Sequence, residues 1–318
     1  MAYQDRWLRG KVTDRGERAC EPRYELVRAV VAEYTRPITV LDLGANIGYF
    51  GCRLAAEFGA VAVMIEGRAN LVEAVAANAI PTTLALRHKL TVEDLQQLAA
   101  SEHFDVVLAL NVLHHFQDSL GALDAVLGLG DQVIIETPSR DDKAACGGRS
   151  HVPLLDAIAR LEPELLGHAG SHVTPGAQRP IVRVRREKTS LTSGYAYRRR
   201  LNGNPSVRAH VIESTLERKT VLYASGEERP WHPGMNLWNF CQMGGIHPSR
   251  EHIVAAVIEA SAEEEHGDLR PWNFVLQGDG VVAIDTQHRG THRGPEALDE
   301  TIAWLRAPSL AYTARAGR

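Results

Sequence analysis

The residues best suited to chemistry stand in three short segments of the N-terminal half. The first is Asp42-Leu43-Gly44-Ala45-Asn46-Ile47-Gly48-Tyr49-Phe50, directly after the apolar Val40-Leu41. Glycine lets the backbone adopt positive φ and come close to a ligand. Asparagine is the best substitute for it in a left-handed turn. A helix that starts behind such a turn presents unpaired N–H groups. A dinucleotide-binding turn would read G-x-G-x-x-G; here only Gly44 and Gly48 stand behind Asp42. The second segment ends at Glu66, after Val61-Ala62-Val63-Met64-Ile65. An acid in that place accepts hydrogen bonds from ribose hydroxyls in α/β nucleotide sites; the plain alternative is an exposed strand-end carboxylate. The third is Asn111-Val112-Leu113-His114-His115-Phe116. Histidine exchanges a proton near neutral pH, so His115 is a candidate general base, and His114 a candidate base or pocket wall.

The elements that must hold these residues alternate. Val27, Val30, Val31 and Tyr34 share one helix face, which Pro37 ends. Apolar runs at 38–43, 60–65, 82–86, 104–110 and 132–136 read as strands, with helical patterns at 49–58, 71–77, 92–100 and 120–127 between them. Uniformly apolar strands separated by helices imply a parallel sheet covered on both faces. A further helix face is expected at 154–161 and a strand at 181–185. Beyond about 191 the pattern loosens, apart from a strand at 220–223, a helix at 253–258, a hairpin around Asp279-Gly280 and a last helix at 298–305.

With this order of elements, the Asp42/Gly44/Gly48 turn resembles motif I of the class I S-adenosylmethionine (SAM)-dependent methyltransferases. The family often has a third glycine where this chain has Asn46. The resemblance covers about residues 20–190 and implies a Rossmann-like α/β fold with a central, mostly parallel sheet. It implies SAM as cofactor, bound by Asp42, Gly44, Asn46, Gly48, Tyr49, Phe50 and Asn111, with Glu66 on the ribose. Glu93 and Asp94 lie where the family often contacts adenine; a helix-start acid opposing the dipole is the plainer reading. The His-His-Phe form after the fourth strand resembles small-molecule methyltransferases, not the (D/N)-PP-(Y/F) loop of amino-directed DNA and glutamine enzymes. Asn111 is not a carboxylate, so no catechol-type metal is implied.

A second resemblance lies near the C-terminus. His266-Gly267-Asp268-Leu269-Arg270-Pro271-Trp272-Asn273, followed by Asp285, resembles the catalytic loop of kinase-like phosphotransferases. Asp268 would be the base, and Asn273 and Asp285 the metal-binding positions. The combination is similar to the bifunctional methyltransferase–kinases that terminate bacterial O-antigen chains. No Gly-rich phosphate loop precedes the motif and too few residues surround it for two kinase lobes, so a remnant is expected, with chance similarity as the alternative. The chain divides, on this reading, into a SAM-binding domain at 1–190 and an irregular α+β appendage at 191–318. The appendage is expected to wall the acceptor pocket through Trp238, Trp272 and Arg270; tryptophans packing against the sheet are the alternative.

Bulk properties narrow the partners. Net charge is −4, which gives no general pull toward nucleic acid. Residues 179–200 are rich in arginine, read either as a solvated strand pair or as an anion-binding surface. Four dispersed cysteines form no CxxC pair, so neither zinc nor a disulfide framework is suggested. No leader and no apolar run of about 18 residues is visible, so a cytoplasmic protein is expected. The expected activity is methyl transfer to an oxygen or nitrogen of a small molecule or glycan. A bifunctional methyltransferase–phosphotransferase and a non-catalytic SAM- or partner-binding protein are the rivals.

Overall fold

The computed structural model describes residues 3–68, 70–140, 142, 151–171, 174–185, 211–222, 228–243, 250–262, 269–284 and 294–306. The chain opens with β1 (Arg6–Leu8), β2 (Lys11–Asp14), α1 (Glu21–Val31), β3 (Thr39–Leu43), α2 (Tyr49–Phe58), β4 (Val61–Glu66), α3 (Asn70–Ala76), β5 (Thr83–Arg87) and α4 (Val92–Ala99). It continues through β6 (Phe104–Leu110), α5 (Ser119–Leu127), β7 (Gly130–Glu136), α6 (Val152–Ala159), β8 (Glu164–Gly170) and β9 (Gln178–Arg185).

Seven strands form one sheet in the order β5-β4-β3-β6-β7-β9-β8. The first five are parallel, and β9 and β8 run antiparallel at the edge. Every residue of β3 is buried, as an apolar strand between two helical layers should be. The parallel sheet is the one the alternating pattern implies, and the fold is the Rossmann-like arrangement that the resemblance implies. Strand β8 and the β1–β2 hairpin were not expected. Strand β8, Glu-Leu-Leu-Gly-His-Ala-Gly, has no β-branched residue and is largely exposed; pairing with β9 makes it a strand, so tertiary context overrides propensity. The β1–β2 hairpin is tied back by Asp5, whose carboxylate accepts from the Gly16 and Cys20 amides.

The rest of the described chain holds β10 (Val211–Ser214), β11 (Lys219–Leu222), β12 (Glu228–Pro230), β13 (Met235–Asn236), α7 (Leu237–Gln242), α8 (Arg250–Ala262), β14 (Phe274–Leu276), β15 (Val281–Ala283) and α9 (Gly294–Arg306). These build two small antiparallel sheets, β10-β11-β12 and β13-β14-β15, the second containing the expected hairpin. The appendage is more regular than its sequence suggests. Met235, Trp238, Phe240, Val254, Trp272 and Phe274 share one hydrophobic core with Leu41, Val63, Leu95 and Val107 of the sheet layer.

Polar contacts fix where this region sits. Gly234 N–H donates to Thr39 Oγ1 at 2.8 Å, and Asn236 N–H to Glu102 Oε1 at 2.9 Å. Lys219 Nζ lies 2.9 Å from Asp105 Oδ1, and Asp279 N–H donates to the Pro81 carbonyl at 2.7 Å. Thr39, Glu102, Asp105 and Pro81 all stand at or just before the amino ends of parallel strands. The described appendage therefore docks at the amino ends of the sheet. No helix among the described residues is long and apolar enough to cross a membrane.

Candidate functional site

A cavity of about 450 Å³ opens at the other end of the sheet, where β3, β4 and β6 finish. Open α/β sheets bind ligands at the carboxyl ends of their strands. Strands of this length rise about 3.3 Å per residue, so roughly 20 Å separates the cavity from the docked appendage.

The turn after β3 forms the cavity's first wall. Gly44 and Asn46 both line it, with φ of 70° and 56°. A Cβ on Gly44 would lie 3.1 Å from Val112 Cγ2, so the glycine is required by backbone shape and by the neighbouring loop together. Gly48, at φ 80°, is the left-handed N-cap of α2. It does not line the cavity; a Cβ there would meet Val75 and Met64. Asp42 is also absent from the lining. Burial pushes its carboxyl up to about 7, against a hydrogen bond from the Gly51 amide and with help from the Glu66 charge. Asp42 thus props the start of α2 from beneath the turn. Phe50 lines the cavity, whereas Tyr49 points away and donates from its hydroxyl to Glu21 Oε2 at 2.7 Å.

Glu66 stands on the second wall. Its Oε2 accepts from the Asn46 amide and its Oε1 from the Arg68 amide, both at 3.0 Å. The carboxylate is thereby oriented into the cavity with lone pairs left for a ligand. Beyond it come Gly67, Arg68, His88, Lys89 and Leu90. Glu93 and Asp94 are not among the lining residues. Asp94 closes a capping box with Thr91 at the start of α4 and pairs with His88 Nε2 at 2.9 Å. The helix-start reading therefore describes Asp94, and the loop at 88–90 reaches the cavity in its place.

The third wall follows β6. Asn111, Val112, His114, His115 and Phe116 line the cavity. Asn111 is strained at φ 62°, held by a bond from its backbone N–H to the Glu136 carbonyl and by Arg179, which donates to its Oδ1. His115 is exposed at the mouth. His114 is buried, and neither ring nitrogen has a protein partner. Burial first, then the charges of His115, Arg179, His151 and Arg18, hold its pKa down at about 3, so it is neutral in ordinary buffers and a poor base.

Sequence reasoning missed the fourth wall. Tyr3, Gln4, Arg18 and Cys20 come from the N-terminal segment, and Arg179 from β9. Arg18 pairs with Glu136 and donates to Tyr3 Oη at 2.6 Å; Tyr3 Oη in turn accepts from Asn111 Nδ2 at 3.2 Å. Arg179 lies 2.6 Å from Asp142 Oδ2. Arg179 had a signal, the arginine-rich stretch, but its neighbours Arg183 and Arg185 are spent on Glu33 and Glu164. Nothing marks Tyr3 or Arg18 in the sequence.

Trp238, Trp272 and Arg270 do not reach this cavity. Trp238 stacks on Trp304 at 5.5 Å and meets Trp272 edge-on at 5.8 Å, and Arg270 lies over Trp272. These three side chains thus pack with one another in the appendage, which docks at the opposite end of the sheet. Of the kinase-like residues, Asp268 and Asp285 lie outside the described residues, as do Arg198, Arg199 and Arg200. Asn273 is buried in a short turn whose N–H bonds back to the Arg270 carbonyl. Among the described residues no three His, Cys, Asp or Glu side chains gather as a metal set.

A family model described as a methyltransferase domain matches residues 14–179. No curated protein matches the chain. Among solved structures, the bifunctional kinase-methyltransferase WbdD is 16% identical, covers 91% of this chain and 81% of its own, and superposes with a TM-score of 0.46. The N-terminal domain of EvdMO1 with SAH bound is 18% identical, covering 58% of this chain and 92% of that one, with a TM-score of 0.44. A TehB-like SAM-dependent methyltransferase from Corynebacterium glutamicum ATCC 13032 Kitasato is 18% identical over 52% of this chain and 86% of that one, with a TM-score of 0.38.

Proposed function

The chain belongs to the methyltransferase-domain family, and from that premise we propose that it transfers a methyl group from S-adenosylmethionine to an oxygen or nitrogen of a small molecule or glycan. One observation carries the reading: the left-handed Gly44–Asn46 turn and the oriented Glu66 carboxylate share one cavity with the loop after β6. The cofactor supplies an electrophilic methyl carbon. Gly44 and Asn46 would let its backbone-hugging amino-acid portion approach the turn, and Glu66 would hold the ribose hydroxyls. Arg68 and residues 88–90 would flank the base. Asn111, His114 and His115 would then stand around the methyl position, where the protein must orient the acceptor and keep water out. His115, exposed at the mouth, is the better placed of the two histidines to take a proton from a neutral acceptor.

Calorimetric titration with S-adenosylhomocysteine (SAH) tests this. Saturable binding is expected, weakened at least tenfold, or ~1.4 kcal/mol, by Gly44→Val. A folded protein that does not bind SAH would remove the reading. Binding without turnover on any acceptor would favour a non-catalytic SAM-binding role.

A further inference from the structure

Asn111, on the third wall of the cavity, keeps a backbone conformation that residues other than glycine rarely adopt, with φ at 62°. Such a residue stays there only when its surroundings hold it from several sides, and such places gather at functional sites. Two neighbouring strands hold Asn111. Its backbone N–H donates to the Glu136 carbonyl at the end of β7, at 2.9 Å, and its Oδ1 accepts from Arg179 near the start of β9. A guanidinium only donates, so the Asn111 amide has one orientation open to it, oxygen toward Arg179 and NH2 toward Tyr3 Oη at 3.2 Å.

Arg179 is itself fixed. It is fully buried and stands opposite Ala169 in the β8–β9 pair. Its Nε donates to Asp142 Oδ2 at 2.7 Å. The Nη that does not serve Asn111 donates to Ser171 Oγ at 3.1 Å and lies 2.6 Å from Asp142 Oδ2. Asp142 in turn accepts from Thr174 Oγ1 at 2.6 Å. The Asp142 carboxylate offsets the guanidinium charge, and each guanidinium nitrogen has a protein partner. Arg179 therefore lines the cavity with no net charge to offer an anion. What it holds is Asn111. Lysine could not replace it, because one ammonium lacks the planar fork that spans Asp142 and Asn111.

We propose that Arg179 is a positioning residue for methyl transfer: through Asn111 it sets the wall beside the methyl group, and it touches neither cofactor nor acceptor itself. The inference rests on the methyltransferase reading, which puts Asn111 at the methyl position. A small displacement of that wall loosens the methyl group and leaves the ribose and base where they are. SAM and SAH differ only in the methyl group and the charge it brings. The ratio of their affinities therefore reads this wall without any acceptor.

Calorimetry measures SAM and SAH affinities for the wild type, Arg179→Lys, Asn111→Gly and the double variant, each beside its Tm. Arg179→Lys should keep SAH affinity within about threefold and lower SAM affinity relative to SAH by about fivefold or more. Asn111→Gly relieves the backbone and removes the amide, so it should shift the ratio by a similar factor. Adding Arg179→Lys to it should shift the ratio no further, because residues that act through one contact are not additive. Should Arg179→Lys fail to fold, Ser171→Ala removes one acceptor from the guanidinium and no charge. It should move the ratio about twofold in the same direction, and not at all in the Asn111→Gly background. A fall in Tm with an unchanged SAM to SAH ratio would overturn the proposal, since packing alone would give that. So would an Arg179→Lys shift of equal size with and without the Asn111 side chain. A folded wild type that binds neither SAM nor SAH would remove the methyltransferase reading and this inference with it. Binding of both, with a ratio that no variant moves, would overturn the inference alone.

Discussion

The backbone N–H of Asn46 donates to Glu66 Oε2 at 3.0 Å, so the turn after β3 and the acid that ends β4 are one unit. Disturbing either changes the other. Glu66→Gln removes an anionic acceptor from two amides and from any hydroxyl in the cavity. Its effect on SAH affinity should be tenfold or more. Glu93→Gln, at a side chain outside the lining, should leave affinity within about twofold. Asp94→Asn should act on the fold, costing about 1 kcal/mol through the capping box. Calorimetry on the three variants checks the order, and a larger affinity loss in Glu93→Gln than in Glu66→Gln would reverse the assignment.

Asp42 carries a pH signature. Burial, the leading cause, raises its carboxyl from 3.8 to about 7. Between these values the native state holds a proton that the unfolded chain has lost, so the contribution of Asp42 to stability falls as pH rises through this window and stays low above it. Asp42→Asn keeps an acceptor oxygen for the Gly51 amide and never ionises. The variant should therefore gain in Tm over the wild type as the pH of the melt is raised from 4 to 8 (roughly the limits of that window). A difference independent of pH would mean that Asp42 titrates normally.

The Lys219–Asp105 pair ties the appendage to the amino ends of the strands. Burial works to raise the Asp105 carboxyl, and the charges of Lys219 and Arg36 outweigh it and hold the group below its usual range. A depressed acid stabilises the fold above its unfolded pKa and loses that contribution as pH falls through the folded one. Lys219→Met should cost about 1.5–3 kcal/mol at pH 7, the range for a hydrogen bond to a charged group, because Arg36 still pairs with Asp105. That cost should shrink in acid, which denaturant melts at pH 7 and pH 3 would read.

Trp272→Ala should destabilise by about 3–5 kcal/mol, as large core truncations do. The fraction that remains folded should bind SAH as the wild type does, because Trp272 packs at the far end of the sheet. Loss of SAH affinity in a variant of undiminished stability would place the appendage at the cofactor site after all.

The N-terminal half of the fold was legible in the sequence because its information is local. Apolar runs of strand length, helical spacing between them, and two glycines behind Asp42 each report on a few neighbouring residues. That is enough to give a parallel sheet, a ligand turn at Gly44 and a carboxylate at Glu66, and the structure draws the turn and the acid into one cavity. Which neighbours of a motif face the ligand was decided by geometry at the turn. Tyr49 and Phe50 are adjacent in the chain, yet α2 aims one at Glu21 and the other into the cavity. The larger corrections concern long-range placement. Tyr3 and Arg179 meet Asn111 across separations of 108 and 68 positions, Arg18 meets Glu136 across 118, and no local pattern encodes such encounters. The tryptophans of the appendage look equally apt for a pocket wall or a packed core, because hydrophobic burial is non-directional and rewards either. Polar contacts at Thr39, Glu102 and Asp105 chose the amino ends of the strands, and with that the appendage left the site.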